Sequence, residues 1–396
     1  MRPSRRLEGW CLERLRNGPT VVEPPGLERL TVFVPSSGRP EFVLRQLVYW
    51  SGTAAHLLIL DGSPDPIPES VREAVDTRME LDYLHRPVGL QERLREAHDL
   101  IRTEYTVMCG DDEFHLRRGL VDAVGVLDRE RALVACMGQS LSFLPTLDGR
   151  RLSFGPTYPH RGFANSDDDP RCRLQLAFSD YNGVTSYSVM RTEVWLASWA
   201  DALDWSSVYA TEIQQAVTTW LSGGLVAIDG VYWLRSGENA SVRDITGQQL
   251  PFADWWKGDG YQAEVARFMR VLADYGVLTG FADREEVIEV VSGVLDGFVA
   301  DWEVSQRARY EAQMVEVPRS ALWQRFVALL PLVVQRRLRM IYRGLSRRLR
   351  TSTHDGLVLV ESIAGAGLIP PGDLTDEFLD ELLVVEQIVR EFSHAR

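Results

Sequence analysis

The sequence has few of the features that would place it in several broad classes. It has only four cysteines, Cys11, Cys109, Cys136 and Cys172, with no paired spacing and no CxxC pattern. That argues against a disulfide framework and a thiolate zinc site, and reduced thiols in a cytosolic protein are expected. No apolar run is long enough to cross a bilayer. The run ALLPLVV at Ala328–Val334 is short and carries Pro331. The first residues, MRPSRRLEGWCLERLRNG, are basic but lack the continuous apolar core of a secretory signal, so a cytoplasmic location is expected. A surplus of positive charge is missing too. The net charge is −13, which argues against a nucleic-acid partner, because phosphates need a basic surface. No internal repeat and no low-complexity tract occurs.

What is present is an ordinary apolar fraction, 45% of 396 residues. That supports a sizeable core and suggests two domains, or one with a large extension. Apolar β-branched runs alternate with amphipathic stretches from Leu30 to about Ala135. LTVFVP, HLLILDGSP, LDYLHRP, YTVMCGDDEF and ALVACMGQSLSF read as strands; EFVLRQLVYW, VGLQERLREAHDLIRT and LRRGLVDAVGVLDRE read as helices. Such alternation predicts a parallel α/β sheet, whose ligand sits beyond the carboxyl ends of the strands. Three of those ends carry polar groups: Ser36–Arg39, Asp61–Ser63 and Asp111–Glu113. Further on, NGVTSYSVMR reads as a strand, SSVYATEIQQAVTTWLSGG as a helix ending at Gly223, and LVAIDGVYWLRSGEN as a strand and loop. The remainder from about Phe252 reads as mostly helical, which places a boundary near Leu250 and gives domains 1–250 and 251–396.

Three adjacent acids after an apolar strand need an offsetting charge or contact with water. Helix capping accounts for one of them. A divalent-cation site is the second reading, since Mg²⁺ and Mn²⁺ take oxygen ligands and bridge to phosphates. A phosphatase-type nucleophilic Asp is the third; it would need an acidic motif on the first strand, which ends instead in PSSGRP. Asp167–Asp169 read as a solvated loop and Asp180 as part of a turn. His85 and His115 are left out of any metal shell.

The ordered stretches FVPSSGRPEFVLRQL, LLILDGS, YLHRPVGLQERLREA and YTVMCGDDEF resemble the nucleotide-sugar-binding half of GT-A glycosyltransferases. The likeness is to the family 2-like type of bacterial polysaccharide biosynthesis. It covers about the first 130 residues and extends more loosely to Asn239. It implies an α/β GT-A fold, a Rossmann-like mixed sheet flanked by helices, with a mostly helical C-terminal extension. By position it implies that Pro35, Ser36 and Arg39 touch the nucleotide, that Asp61 reads the base, and that Arg86, Gly89 and Arg93 lie near base and ribose. Asp111 and Glu113 match the two ends of a DxD-like metal motif for Mg²⁺ or Mn²⁺, with Asp112 between them on the donor. Two departures stand out: the last position is Glu, and Gly110 stands where the leading acid is usual. Arg235, after a later strand, is placed on the diphosphate, because Arg forks suit phosphate. Glu212, near a helix start, is the candidate catalytic base of an inverting transfer; a first-turn dipole role is the alternative.

The expected activity is sugar transfer from a nucleotide-sugar donor to a glycan or lipid-linked acceptor. A nucleotidyltransferase or a catalytically silent assembly subunit is the alternative. Pro318–His354 holds nine arginines and no acid, interleaved with apolar residues. Residues 319–350 are thus read either as a peripheral contact with the inner face of an anionic membrane or as helices packed on the catalytic domain.

Overall fold

The structure, a computed structural model, describes residues 3–17, 24–75, 79–146, 149–158, 160–179, 181, 184–200, 203–239, 250–315, 358–360, 363, 368–369 and 371–396. The basic segment 319–350 and Asp180 lie outside the described residues. The elements in order are α1 (Arg5–Asn17), β1 (Leu30–Ser36), α2 (Pro40–Trp50), β2 (His56–Asp61), α3 (Glu69–Val75), β3 (Leu81–His85), α4 (Leu90–Ala97), β4 (Tyr105–Met108) and β5 (Phe114–His115). Next come α5 (Arg117–Arg129), β6 (Leu133–Pro145), β7 (Leu152–Pro156), β8 (Ala164–Asn165), α6 (Pro170–Ser179), β9 (Val189–Arg191), α7 (Thr192–Trp195), α8 (Val208–Ser222) and β10 (Gly224–Ser236). Helices Phe252–Lys257, Gln262–Leu278 and Arg284–Val315 follow, then β11 (Val358–Leu359) and a helix at Asp376–Ala395.

These strands make one mixed sheet in the order β11-β7-β6-β9-β4-β1-β2-β3, with β10 paired to β5, β6 and β8. The half built from β3, β2, β1 and β4 is parallel, as the alternation of strand and helix predicts. Strand β9 then enters antiparallel between β4 and β6, which makes the sheet mixed. Every residue of β2 is buried, as expected of an inner strand covered on both faces. Among the described residues of the stretch read as a strand from Asn182, Val184–Tyr187 form a 3₁₀ turn and Val189–Arg191 form β9.

The parallel register sets the carboxyl ends side by side. Ser36 pairs with Asp61, and Asp61 with His85. Phe33 pairs with Met108, two residues before the acid turn. The three polar strand ends therefore gather at one edge.

The contacts group the chain into two compact units. Residues Met1–Leu295 and Val358–Arg396 form one compact unit, and Asp296–Leu357 form another. The helix Asp376–Ala395 belongs to the first because it packs on α1 and α2. Thr375 caps it, with the hydroxyl accepting from Phe378 N. Phe392 meets Phe42 and Trp10, with ring centroids 5.2 and 6.1 Å apart. Buried Glu381 accepts from the Tyr49 hydroxyl at 2.9 Å and from Arg117 N at 2.7 Å. All four cysteines are free. Among the described residues no helix is long and apolar enough to cross a membrane.

Helix α5 lies directly on β10. A Cβ added at Gly119 would come within 2.7 Å of Tyr232 Cα and 2.8 Å of the Val231 carbonyl. Both are backbone atoms and cannot swing away. Gly119→Ala is therefore expected to destabilise the protein by about 2 kcal/mol despite its better helix propensity. Gly125→Ala, on the same helix, meets only the Arg129 guanidinium at 3.4 Å. It should be neutral or stabilising by up to about 1 kcal/mol. Urea denaturation of the pair checks this; equal midpoints would refute the close packing.

Candidate functional site

The acid turn is a tight loop between two paired strands. Cys109 N donates to Phe33 O at 2.9 Å, and Glu113 N to Gly110 O at 3.1 Å. Strand β5 then joins β10. The turn's carbonyls need donors, and the buried side chain of Gln46 on α2 supplies them. Its Nε2 donates to Asp111 O at 3.1 Å and to Glu113 O at 2.6 Å. Arg45, next to it and fully buried, donates to Asp112 O at 2.7 Å and pairs with Glu238 at 2.6 Å. Its guanidinium sits over Phe42, Phe114 and Phe392, 4.6, 5.1 and 4.9 Å from their centroids. The C-terminal helix thus helps to hold the turn.

The three acids have different surroundings. Asp111 is fully buried. Its Oδ2 accepts from the Ser36 hydroxyl at 2.7 Å, and its Oδ1 lies 2.5 Å from Arg39 Nη2. That approach is off the N–H direction, so it is an ion pair rather than a hydrogen bond, and Oδ1 has no hydrogen-bond partner. Burial pushes Asp111 up to about 7 against the pull of Arg39 and Ser36. Asp112 faces outward slightly, with its side chain 14% exposed. Its Oδ2 accepts from Asn239 Nδ2 at 2.6 Å and from Arg39 Nη1 at 3.3 Å. Glu113 folds back across the turn and accepts from Trp233 Nε1 at 3.1 Å. Burial, and then the Asp112 charge, push it up to about 8.

The glycine at position 110 follows from that fold-back. A Cβ there would fall 2.9 Å from Glu113 Oε2. The Glu113 carboxylate occupies the space that a side chain at 110 would take.

Glu212 lies on α8, in its second turn, since the helix starts at Val208. The first-turn alternative therefore loses its basis. Tyr181 donates its hydroxyl to Glu212 Oε1 at 3.1 Å, and burial raises the Glu212 pKa against that hydrogen bond. Tyr187 feels the charges of both Glu212 and Glu113. Its hydroxyl pKa is raised first by the Glu113 charge, then by burial and by the Glu212 charge. Tyr187 stacks on Trp233 at 4.4 Å, and Tyr158 stacks on Trp233 at 5.7 Å. Arg235, exposed, lies over Tyr158 at 5.3 Å. Its charge also pulls on Glu113.

The other predicted residues divide. Ser36, Arg39 and Asp61 are at the shared edge. Asp61 accepts from Ser63 N and from the Tyr83 hydroxyl, both at 2.8 Å. Pro35 is half-buried at the end of β1. Arg93 is buried and ties strands together: it donates to Leu60 O at 2.8 Å and to Ser36 O, and it fills the space beside Gly62. Arg86 is an exposed partner of Glu96 at 2.8 Å. Gly89 precedes α4 with nothing near its missing Cβ, so no close approach requires a glycine there. Sequence reading missed Gln46, Arg45, Ser63, Tyr187, Trp233 and Asn239. Two polar residues amid the apolar face of α2, and the polar run RSGEN after β10, were the available signals.

The expected ligand set, Asp111 and Glu113, does not fit a divalent cation. Both Asp111 oxygens are engaged, and the Glu113 carboxylate is turned to the Trp233 indole. Among the described residues no three His, Cys, Asp or Glu side chains converge as a metal-holding group.

No family model matches the chain, and no curated protein matches its sequence. Solved structures similar in fold include S. aureus TarS 1-349 in complex with UDP-GlcNAc. It is 11% identical, over 67% of this chain and 71% of that one, with a TM-score of 0.45. The mannosyltransferase PcManGT from Pyrobaculum calidifontis, in complex with GDP-Man and Mn²⁺, is 13% identical over 80% and 89%, with a TM-score of 0.36. Glucosyl-3-phosphoglycerate synthase from Mycobacterium tuberculosis, with Mn²⁺, UDP and phosphoglyceric acid, is 13% identical over 72% and 86%, with a TM-score of 0.35. At these values nothing about chemistry carries over from them.

The raised pKa of Glu113 has a stability consequence. Its folded value, about 8, lies above the unfolded value of about 4.3, so the native state holds the proton more tightly. Stability is then fullest below the unfolded value and falls as pH rises through about 8. Urea midpoints should decline between roughly pH 5 and 8, with a slope of up to about 1.4 kcal/mol per pH unit from this group. Glu113→Gln should flatten that decline, and an unchanged slope would mean that Glu113 is ionised in the native protein.

Proposed function

We propose that this protein transfers a sugar from a nucleotide-sugar donor to an acceptor hydroxyl. One observation carries the proposal. Buried Glu113 and half-buried Glu212 both lie close enough to act on Tyr187, beside the edge where Ser36, Asp61 and Asp112 converge. The crevice beyond parallel strand ends is where such sheets bind nucleotides. Within this reading Ser36, Arg39 and Asp61 hold the nucleoside, with Pro35 shaping the loop. Arg39 and Arg235 face the departing diphosphate, where fixed positive charge lowers the barrier. Arg93 and Gln46 act indirectly, by holding the strand ends and the acid turn.

Glu212 is the base in this reading. Its raised pKa makes it a better proton acceptor than an ordinary carboxylate, and the Tyr181 hydroxyl keeps one oxygen oriented. It would take the proton from the acceptor hydroxyl as that oxygen attacks the anomeric carbon. Attack on the face opposite the diphosphate gives inversion. The Mg²⁺ or Mn²⁺ expected from the family likeness would have only Asp112 as an outward-facing carboxylate of the turn, so no step is assigned to an ion. The acceptor is proposed to be a glycan or a lipid-linked glycan at the cytoplasmic side of a membrane. That fits the basic composition of residues 319–350.

A thermal-shift panel with UDP, GDP, CMP and dTDP tests the nucleotide class: one diphosphate should raise Tm, and none doing so would refute the reading. Glu212→Gln should lower kcat for transfer or donor hydrolysis by about 10³-fold while leaving nucleotide affinity within about twofold. A loss of affinity with kcat intact would assign Glu212 to binding instead.

A further inference from the structure

We infer that Arg39 is a built-in cation, which fills at the acid turn the position that a divalent ion would otherwise take. One guanidinium spans both acids, with Nη2 2.5 Å from Asp111 Oδ1 and Nη1 3.3 Å from Asp112 Oδ2. Asp111 Oδ1 is the deciding atom. It is buried, it has no hydrogen-bond partner, and its attraction to Arg39 is that of charge without alignment. A metal ion satisfies an oxygen in the same way, and a buried carboxylate that keeps its charge requires one or the other.

Arg39 is also held in place. It precedes Pro40 in the bend before α2, with φ −132° and ψ 53°, and its guanidinium lies 5.7 Å from the Phe42 centroid. Its side chain remains 34% exposed. A guanidinium has five donors in a planar fork, so one edge can serve the acids while the other meets phosphate oxygens. A second cation at the same carboxylates would be repelled at close range. The remaining oxygen of Asp111 is held by Ser36, and Glu113 by Trp233, which leaves an incoming ion one carboxylate, Asp112. The assignment of Arg39 rests on this geometry alone; its consequence for nucleotide binding rests also on the proposed function.

The test is titration of Mn²⁺ alone into the full-length protein, followed through the EPR signal of the free ion. Wild type and Asp112→Asn should bind equally weakly. Arg39→Gln should bind Mn²⁺ at least about tenfold more tightly, because it frees two adjacent carboxylates. Arg39→Lys should resemble wild type, and Arg39→Gln with Asp112→Asn should lose the gain. Wild-type binding as tight as that of Arg39→Gln, or clearly tighter than that of Asp112→Asn, overturns the inference. The wild-type comparison decides even if Arg39→Gln fails to fold. In a second arm, EDTA should change wild-type UDP affinity by less than about threefold; affinity that disappears with EDTA overturns the inference. If no nucleotide binds under any cation condition, the functional reading falls, and the Mn²⁺ titration still judges Arg39.

Discussion

The ion pair between Arg39 and Asp111 is the constraint around which the strand edge is arranged. Asp111 is fully buried, and a buried carboxylate without a partner is strongly destabilising. The charge cannot be moved, because β1 and β4 run parallel and bring Ser36 close to the end of β4. The chain answers with two groups from one loop: the Ser36 hydroxyl on one oxygen and the Arg39 guanidinium at the other. That loop is in turn tied to β2, where Gly38 N donates to the Ser63 hydroxyl and Gly62 N to Ser36 O. The first loop, the second strand end and the acid turn therefore form one hydrogen-bonded structure.

Helix α2 transmits this order to the rest of the molecule. Pro40 starts it immediately after Arg39, and one turn later Arg45 and Gln46 reach back to the carbonyls of the acid turn. Polar side chains in so buried a helix are costly unless fully occupied. Here the Gln46 amide and Arg45 Nη2 are occupied by backbone carbonyls of the turn, Arg45 Nη1 pairs with Glu238, and Arg45 Nε faces the rings around it without a hydrogen bond. The C-terminal helix closes the far side of Arg45 with Phe392, and Glu381 fixes Tyr49 one turn along α2. A segment more than 300 residues away in sequence is thus part of the support for the site.

The alternation of apolar strands and amphipathic helices was legible, and so were the three polar strand ends. Both depend on local periodicity and on the parallel arrangement that it enforces. Long-range partners were not legible. Arg93 reads as a donor contact beside Gly89, yet its guanidinium is spent on the carbonyls of Ser36 and Leu60. Glu113 is a metal ligand by the family resemblance, yet Gly110 lets it fold back to Trp233, a partner 120 residues away. The docking of the last helix on α1 and α2 was not legible either, because composition does not record where a helix packs. Asn239 ends the polar run RSGEN, but its contact with Asp112 depends on β10 pairing with β5.

The two acids that act on Tyr187 differ in a way that separates their roles. Glu113 feels the anion of Asp112 next to it in the chain, and its largest constraint is burial. Both act in the same direction and favour the neutral carboxyl, against the Trp233 hydrogen bond and the Arg235 charge. Burial raises Glu212 as well, but no anion is among the causes of its shift, and Tyr181 donates to it, which favours the ionised form. Of two carboxyl groups beside one tyrosine, Glu212 is the better placed to receive a proton from an attacking hydroxyl. Glu113, bonded to an indole, is placed to hold Trp233 and its stacked tyrosines in register.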